Sequence, residues 1–401
     1  MEAANKRFFE CLLMIKRSNL FTKGLQTTLI FAVMLMLSLV SCDSNKTPKL
    51  DYQWSIPQGF PKPQLPANNE MSDEKVALGK RLFYDKNLSF NRQQSCESCH
   101  QQVFAFAEPK VTSVGTSGES HRRNAPALVN IAYNKTLTWS HDGLTSLEQQ
   151  ILIPMFGESS IELGITSHDA EVLARFNTAE YLPLFRAAFP QQEISFDLIV
   201  KALASFVRSL ISLNAPFDQY AYQGNDNAIS PSALRGMNLF FSEKLECHHC
   251  HGGFNFTQST SHEKQLIDRR PFHNTGLYNI KIGNQSIGYP EIDVGLAEIS
   301  TLVRDNGRFR APTLRNVEVT APYMHDGSLS TLSEVLDFYA AGGRNITDGP
   351  YKGDGRKNPL KSAFIKGFEM SEQDKIDLIN FLKTLTDDEF LSNPAFAKSP
   401  K

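Results

Sequence analysis

Cysteine and histidine recur in one arrangement twice in this chain, as Cys96-Glu97-Ser98-Cys99-His100 and as Cys247-His248-His249-Cys250-His251. Cys-x-x-Cys-His is a c-type haem attachment site. The two sulfurs form thioethers with the haem vinyl groups, and the adjacent histidine is placed to ligate the iron from one face. A lone Cys-x-x-Cys also serves redox dithiols and half-sites for zinc. Zinc would need a second pair close by, whereas these pairs begin at residues 96 and 247. A redox dithiol needs no following histidine. Two covalent haems are therefore expected, attached through Cys96, Cys99, Cys247 and Cys250, with His100 and His251 on the irons. His248 and His249 read as spacers of the second motif.

The elements that must position these motifs repeat in order. Leu78-Gly79-Lys80-Arg81-Leu82-Phe83-Tyr84 precedes the first motif and Leu234-Arg235-Gly236-Met237-Asn238-Leu239-Phe240-Phe241 the second, both with apolar residues at helical spacing. Proline-bearing stretches follow, Arg123-Asn124-Ala125-Pro126-Ala127-Leu128 and Arg310-Ala311-Pro312-Thr313-Leu314, and then His141-Asp142-Gly143 and His325-Asp326-Gly327. Each half closes on an amphipathic stripe that reads as core: Leu203, Phe206, Leu210 and Leu213, then Ile376, Ile379, Leu382 and Leu385, the latter started by Ser371 as an N-cap. Asn225, Asp226, Asn227 and Pro231 mark a loop between the halves. No alternating strand pattern is sustained. The expected fold is mostly α, two tandem cytochrome-c-like helical domains, each with one covalent c-type haem.

The chain has 401 residues, which accommodates two domains. Hydrophobic residues make up 41% and the net charge is −2, so neither nucleic acid nor a basic membrane-surface patch is indicated. Lys16, Arg17 and Lys23 precede an apolar core, Leu29 to Leu37, that is too short to span a bilayer. The segment ends on Leu39-Val40-Ser41-Cys42, which resembles a bacterial lipobox and implies cleavage before Cys42 and a lipid on its thiol. Plain secretion without a lipid is the alternative. The remaining cysteine, Cys11, lies in the same segment, so no structural disulfide is expected. The resulting partition is a lipoprotein-type signal peptide (1–41), a polar, proline-rich tether (42–70), a first haem domain (71–222) and a second (223–401). The protein is expected to be exported and periplasmic, held to a membrane only through Cys42.

Together these parts resemble the bacterial di-haem cytochrome c peroxidase and MauG superfamily. The likeness runs from Trp54 to Leu385 and rests on Leu78-Gly79-Lys80-Arg81-Leu82-Phe83-Tyr84-Asp85, Arg123-Asn124-Ala125-Pro126, Ser146-Leu147-Glu148-Gln149-Gln150, Ile161-Glu162-Leu163-Gly164, Pro312-Thr313-Leu314-Arg315-Asn316 and Thr320-Ala321-Pro322-Tyr323-Met324-His325-Asp326-Gly327. The resemblance implies a peroxide site at the first haem, with His100 proximal and Gln150 and Glu162 on the open face. A carboxylate there can take a proton from one peroxide oxygen and give it to the other. Thr116 stands where classical members carry a distal histidine, which implies a five-coordinate first haem; His121, nearby, is the alternative ligand. Counting from His325 as the family does, the sixth ligand of the second iron is Tyr339. Peroxidases served by cytochrome c have methionine there, and MauG-type members tyrosine. A phenolate is hard and anionic and favours oxidised iron. The resemblance also implies an aromatic residue between the haems, Trp139 or else His141, and a calcium ion bound by Asn124 and the main-chain carbonyls of Thr320 and Pro322. Arg310, Arg315 and Arg122 pair either with haem propionates or with surface carboxylates.

The expected activity is an oxidoreductase that reduces hydrogen peroxide at the N-terminal haem and passes oxidising equivalents through the C-terminal haem to an external donor. The donor is either a small redox protein, as for a cytochrome c peroxidase, or a specific residue of a partner protein, as for MauG. A non-enzymatic di-haem electron carrier is the other class, and it requires both irons to be saturated by protein ligands.

Overall fold

Each motif is preceded by a helix whose ends are written in its sequence. Ser72 accepts a hydrogen bond from the Lys75 amide and starts helix α1 (Asp73–Phe83), with acids in the first turn and Lys80 and Arg81 in the last, complementing the helix dipole. The computed structural model describes residues 52–267, 270–282 and 285–399. Within these the helices continue as α2 (Leu147–Phe156), α3 (Asp169–Ala174), α4 (Tyr181–Ala188), α5 (Phe196–Arg208), α6 (Pro216–Gln223), α7 (Pro231–Phe240), α8 (His248–His251), α9 (Ala297–Ser300), α10 (Leu332–Ala340), α11 (Glu372–Lys383) and α12 (Asp388–Ser392). The expected signal peptide, Cys11, Cys42 and the first part of the tether lie outside the described residues. No helix among the described residues is long and apolar enough to cross a membrane.

The repeat seen in sequence is a repeat of packing. Helix α1 lies along α5, and α7 lies along α11. Both crossings are made at a glycine. A Cβ on Gly79 would sit 1.9 Å from the carbonyl oxygen of Ala202, and one on Gly236 would sit 1.9 Å from that of Asp377. The first pair buries Leu78, Leu82, Leu203 and Phe206 in one cluster; the second buries Phe240, Leu378, Phe381 and Leu382 in another. Ser371 does cap α11, in a reciprocal box with Asp374.

Several expectations need correction. The closing helices stop sooner than their stripes imply. Leu210 and Leu213 lie beyond the end of α5, buried in irregular chain, because the Leu210 carbonyl and Ser212 bond to Asn130 instead of continuing the helix. Ile376 is half exposed, and Leu378 and Phe381 form the core face that it was expected to share. Short strands are present in the second half. β1 (Phe272–His273) pairs with β4 (Phe309–Arg310), and β2 (Ile280–Ile282), β3 (Gln285–Gly288), β5 (Asn345–Ile346) and β6 (Gly353–Asp354) form an antiparallel sheet in the order β3-β2-β6-β5. Strands of two to four residues are too short for alternation to show in a sequence.

The tether reading fails for its described part. Phe60 is buried with Tyr133 and Leu213, the Pro61 carbonyl accepts from the Tyr133 hydroxyl, and the fully buried Asn69 donates to Glu148 and to the Lys201 carbonyl. The Phe60 ring, the Asn69 amide and hydrogen bonds at Pro61, Lys62 and Gln64 bind this strap to the body. The boundary at residue 222 is also crossed. Phe390 of α12 joins the first cluster, and Gln102 donates to the Phe390 and Asn393 carbonyls.

A buried polar belt joins these pieces. Asn130 and Asn316 stand at matching places after Pro126 and Pro312, each left-handed (φ 54° and 59°). Their amides donate to the carbonyls of Leu210 and Leu385, which follow the two closing helices. Their side-chain oxygens accept from the Ser212 and Asp387 amides at 2.7 and 2.8 Å. The two asparagines meet through Ser212, and Ser212 Oγ donates to Asp387. Beside them Arg315 donates to both carboxylate oxygens of Asp218, at 2.7 and 2.8 Å, with neither side chain exposed.

Gly236→Ala forces a Cβ into the Asp377 carbonyl. Overpacking of this kind costs about 1–3 kcal/mol, so thermal unfolding of the variant should fall clearly below wild type. An unchanged midpoint would show that α7 and α11 can move apart freely.

Candidate functional site

The two motif histidines are oriented alike. His100 Nδ1 lies 2.7 Å from the Phe106 carbonyl, and His251 Nδ1 lies 3.2 Å from the Phe256 carbonyl and 3.1 Å from that of Pro312. A carbonyl only accepts, so Nδ1 carries the proton and Nε2 keeps its lone pair. Burial lowers both imidazole pKa values, His251 to about 4, which keeps both rings neutral at pH 7. Phe106 and Phe256 both have positive φ (61° and 49°), which is unusual for phenylalanine and aims each carbonyl at its ring. This is the outer-sphere arrangement that readies a histidine for a metal. Nothing in the sequence marked these two carbonyls, because the feature is a backbone conformation.

Around the first motif, α2 carries Gln150, started by Ser146 as N-cap. The chain after α2 folds back on it: the Leu163 and Ile165 amides donate to the Pro154 and Met155 carbonyls. Glu162 sits on that return. Its carbonyl accepts from the Thr116 amide at 3.0 Å, and Gly115 packs so closely that a Cβ would lie 1.8 Å from the Ile161 oxygen. Burial pushes the Glu162 carboxyl up to about 7. Its charge reaches Cys96 and Cys99, so the fold brings this carboxylate to the first motif. Gln150 Oε1 and Thr116 Oγ1 are buried without a hydrogen-bond partner. Such orphaned groups call for a ligand or water. These observations fit a haem with a polar face beside it. The His121 amide donates to the Ser113 carbonyl, and burial lowers the pKa of its ring against the opposing charge of Glu108.

Around the second motif a cavity of about 230 Å³ is lined by Cys247, Cys250, His251 and Tyr339 among others. Its lining area is chiefly apolar, as a porphyrin requires. Tyr339 lies on α10, whose start is fixed by a Thr331–Glu334 capping box. Its hydroxyl has no hydrogen-bond partner among the described residues, and burial raises its pKa. Trp139 also faces the cavity and donates to the Asn124 carbonyl at 2.8 Å, while its own carbonyl accepts from the Arg310 amide. His141 does not line it; its ring accepts from the Gly143 amide.

Asn124, Thr320 and Pro322 line this same cavity. The Asn124 amide nitrogen is taken by the Lys110 carbonyl, which leaves its oxygen as the free end. The three arginines separate. Arg315 is neither at a surface nor available to a propionate, because Asp218 holds it. Arg122 pairs with Glu298. Arg310 is buried at the cavity, donates through Nε to the Thr138 carbonyl, and has no carboxylate partner among the described residues. Burial alone pushes its guanidinium down to about 10, so it suits an anionic group in the cavity. His325 was used above only as a counting mark. It lies in the cavity wall, stacked on Phe309 with ring centroids 3.6 Å apart, and burial lowers its pKa to about 4.

Known proteins resemble this chain over most of its length. A profile described as di-haem cytochrome c peroxidase matches residues 73–227. The cytochrome-c peroxidase IdrP1 of Pseudomonas sp. (strain SCT) is 33% identical over 85% of this chain and 87% of that protein. The methylamine utilization protein MauG of Methylorubrum extorquens is 34% identical over 82% of each. Among solved structures, a MauG-like protein associated with microbial copper homeostasis superposes with a TM-score of 0.83 at 44% identity, covering 86% of this chain and 99% of that one.

Gly115→Ala should push the 161–164 segment outward and carry Glu162 with it. Burial is what raises the Glu162 carboxyl to about 7, so in the variant its titration should move down toward the ordinary carboxylate range; an unmoved titration would show that the contact does not position Glu162.

Proposed function

The chain belongs to the di-haem cytochrome c peroxidase family, and we propose that it reduces hydrogen peroxide beside Glu162 and draws the electrons, through the Tyr339 site, from a residue of a partner protein. Haem is the family's cofactor. In this reading one haem is held by Cys96, Cys99 and His100, and the other by Cys247, Cys250, His251 and Tyr339. When bound, haem iron supplies the electrons that cleave the O–O bond.

The chain's own groups handle the protons. Glu162 takes the proton of one peroxide oxygen and returns it to the oxygen that leaves. Its burial sets the carboxyl near neutrality, where it can do both. Gln150 Oε1, otherwise unpartnered, accepts from peroxide or water. Thr116, at the position where classical members carry a histidine, would leave that face open. Arg310 would pair with a haem propionate. Asn124, Thr320 and Pro322 would hold calcium through oxygen donors that leave room for water. Trp139 and its neighbours give an aromatic path between the sites. The signal segment and Cys42 would place the protein in the periplasm on a lipid anchor.

The observation that carries the choice of donor is Tyr339 in the cavity with His251. A hard phenolate stabilises an oxidised site. That suits storage of oxidising equivalents for a slow protein substrate better than rapid traffic with a carrier. The similarity to a MauG-like protein supports the same side, and offers copper homeostasis as the setting. A scavenging peroxidase served by a small redox protein is the second reading, supported by the likeness to cytochrome-c peroxidase IdrP1. A pure electron carrier has no use for the orphaned Gln150 or the raised Glu162 carboxyl.

Adding an equimolar amount of peroxide to the fully oxidised protein should change the visible spectrum at once, without prior reduction. A requirement for half-reduction would favour the scavenging peroxidase, and silence in both states would end the peroxide reading. Because the carboxylate is the active base and its pKa is raised, the rate should climb with pH through about 7 and then level off. Glu162→Gln should lower the rate about 10²–10⁴-fold and flatten that profile. Tyr339→Phe removes a hydroxyl with no protein partner, so stability should stay within about 1 kcal/mol while the second haem's spectrum shifts. An unshifted spectrum would make Tyr339 a plain core residue.

A further inference from the structure

The two residues between the cysteines of the second motif are both histidines, and the peroxide reading gives them nothing to do. Their Nε2 atoms converge on one carboxylate. His248 Nε2 lies 3.5 Å from Glu243 Oε1, and His249 Nε2 lies 3.5 Å from Glu243 Oε2. The three donor atoms all fall within 4.8 Å of one another. We propose that Glu243, His248 and His249 bind a divalent late first-row metal ion, at a site separate from both haems.

The spacing is that of ligands around an ion. Bonds of about 2.0–2.1 Å in tetrahedral geometry put neighbouring donors roughly 3.3 Å apart. At 3.5 Å the ring nitrogens are long for hydrogen bonds to the carboxylate, so they face it without being engaged by it. The rings are held in place by aromatic packing. The two imidazoles lie 4.3 Å apart at 32°, and His249 stacks on Phe364 with centroids 4.9 Å apart. His248 packs beside Phe241. The Glu243 side chain is 80% exposed and the imidazoles 25% and 31%, so an ion can enter from solvent and keep a water as a further ligand.

The donor set selects the ion. Two imidazoles and a carboxylate suit zinc, copper or nickel, whereas calcium and magnesium take oxygen donors. The Irving–Williams order places Cu²⁺ above Zn²⁺ at such a site. Cys247, Cys250 and His251 cannot join, since the haem occupies them. The inference stands on this cluster alone, whatever the electron donor proves to be.

The test is equilibrium dialysis of the holoprotein against Cu²⁺ or Zn²⁺, with metal content measured beside haem content. Wild type should hold an additional ion that Glu243→Gln and His249→Gln hold at least ten-fold more weakly. Cu²⁺ should displace Zn²⁺, and the copper resonance should show nitrogen hyperfine structure. Glu243 is exposed and outside the Cys-x-x-Cys-His motif, so Glu243→Gln should keep the wild-type haem content and unfolding temperature in metal-free buffer. Equal metal uptake by wild type and both variants, or a copper resonance without nitrogen coupling, would overturn the proposal.

Discussion

Asparagine at 130 and 316 is the constraint on which the rest of the structure depends. Each lies in left-handed backbone, which asparagine tolerates better than other side-chain-bearing residues. Each satisfies the chain that leaves a closing helix, and the two share Ser212. The proline-bearing stretches are thereby held against the ends of α5 and α11. Those stretches in turn supply Asn124 and the Pro312 carbonyl that orients His251. An unsatisfied polar group at this depth would cost about 1–3 kcal/mol, so the belt specifies one arrangement of the halves as well as stabilising it. Arg315 and Asp218 act similarly, since a buried ion pair tolerates the loss of neither partner.

Around this shared frame the two sites differ in chemistry. The first is walled by Glu162, whose carboxyl burial raises, and by Gln150 and Thr116, whose buried side-chain oxygens have no hydrogen-bond partner among the described residues. The second is walled by aromatics, Tyr339, Trp139 and the Phe309–His325 stack, with two buried guanidiniums, Arg315 held by Asp218 and Arg310 without a carboxylate partner among the described residues.

Legibility in the sequence followed the range of each interaction. Ser371, Ser72 and the helices around Gly79 and Gly236 are encoded within a few residues, and they stand where spacing puts them. Stripe boundaries were misread because helix α5 ends in favour of a bond to Asn130, about eighty positions away in the chain. The strap from Phe60 to Asn69 looks like a linker in composition, and its anchors, the Phe60 ring, the Asn69 amide and hydrogen bonds at Pro61, Lys62 and Gln64, are made to residues far along the chain. For the site, Glu162 and Tyr339 were reachable only by resemblance, since a lone glutamate or tyrosine carries no local signal. Arg310 and Arg315 have the same local context and opposite fates, decided by Asp218 on a distant helix. The carbonyls of Phe106 and Phe256 are conformational features without a residue signature.

The return of α12 to the first cluster has a consequence for how the molecule is made. Phe390 closes a core that begins near Leu78, and Lys80, Tyr84 and Gln102 all bond to carbonyls beyond residue 389. Segments about 300 positions apart in the sequence are thus needed to complete one core. Contacts of such sequence separation carry a loop-closure cost and slow folding. The first cluster can be outlined early but is sealed only once α12 has docked, so the part of the chain before residue 222 does not complete its core alone.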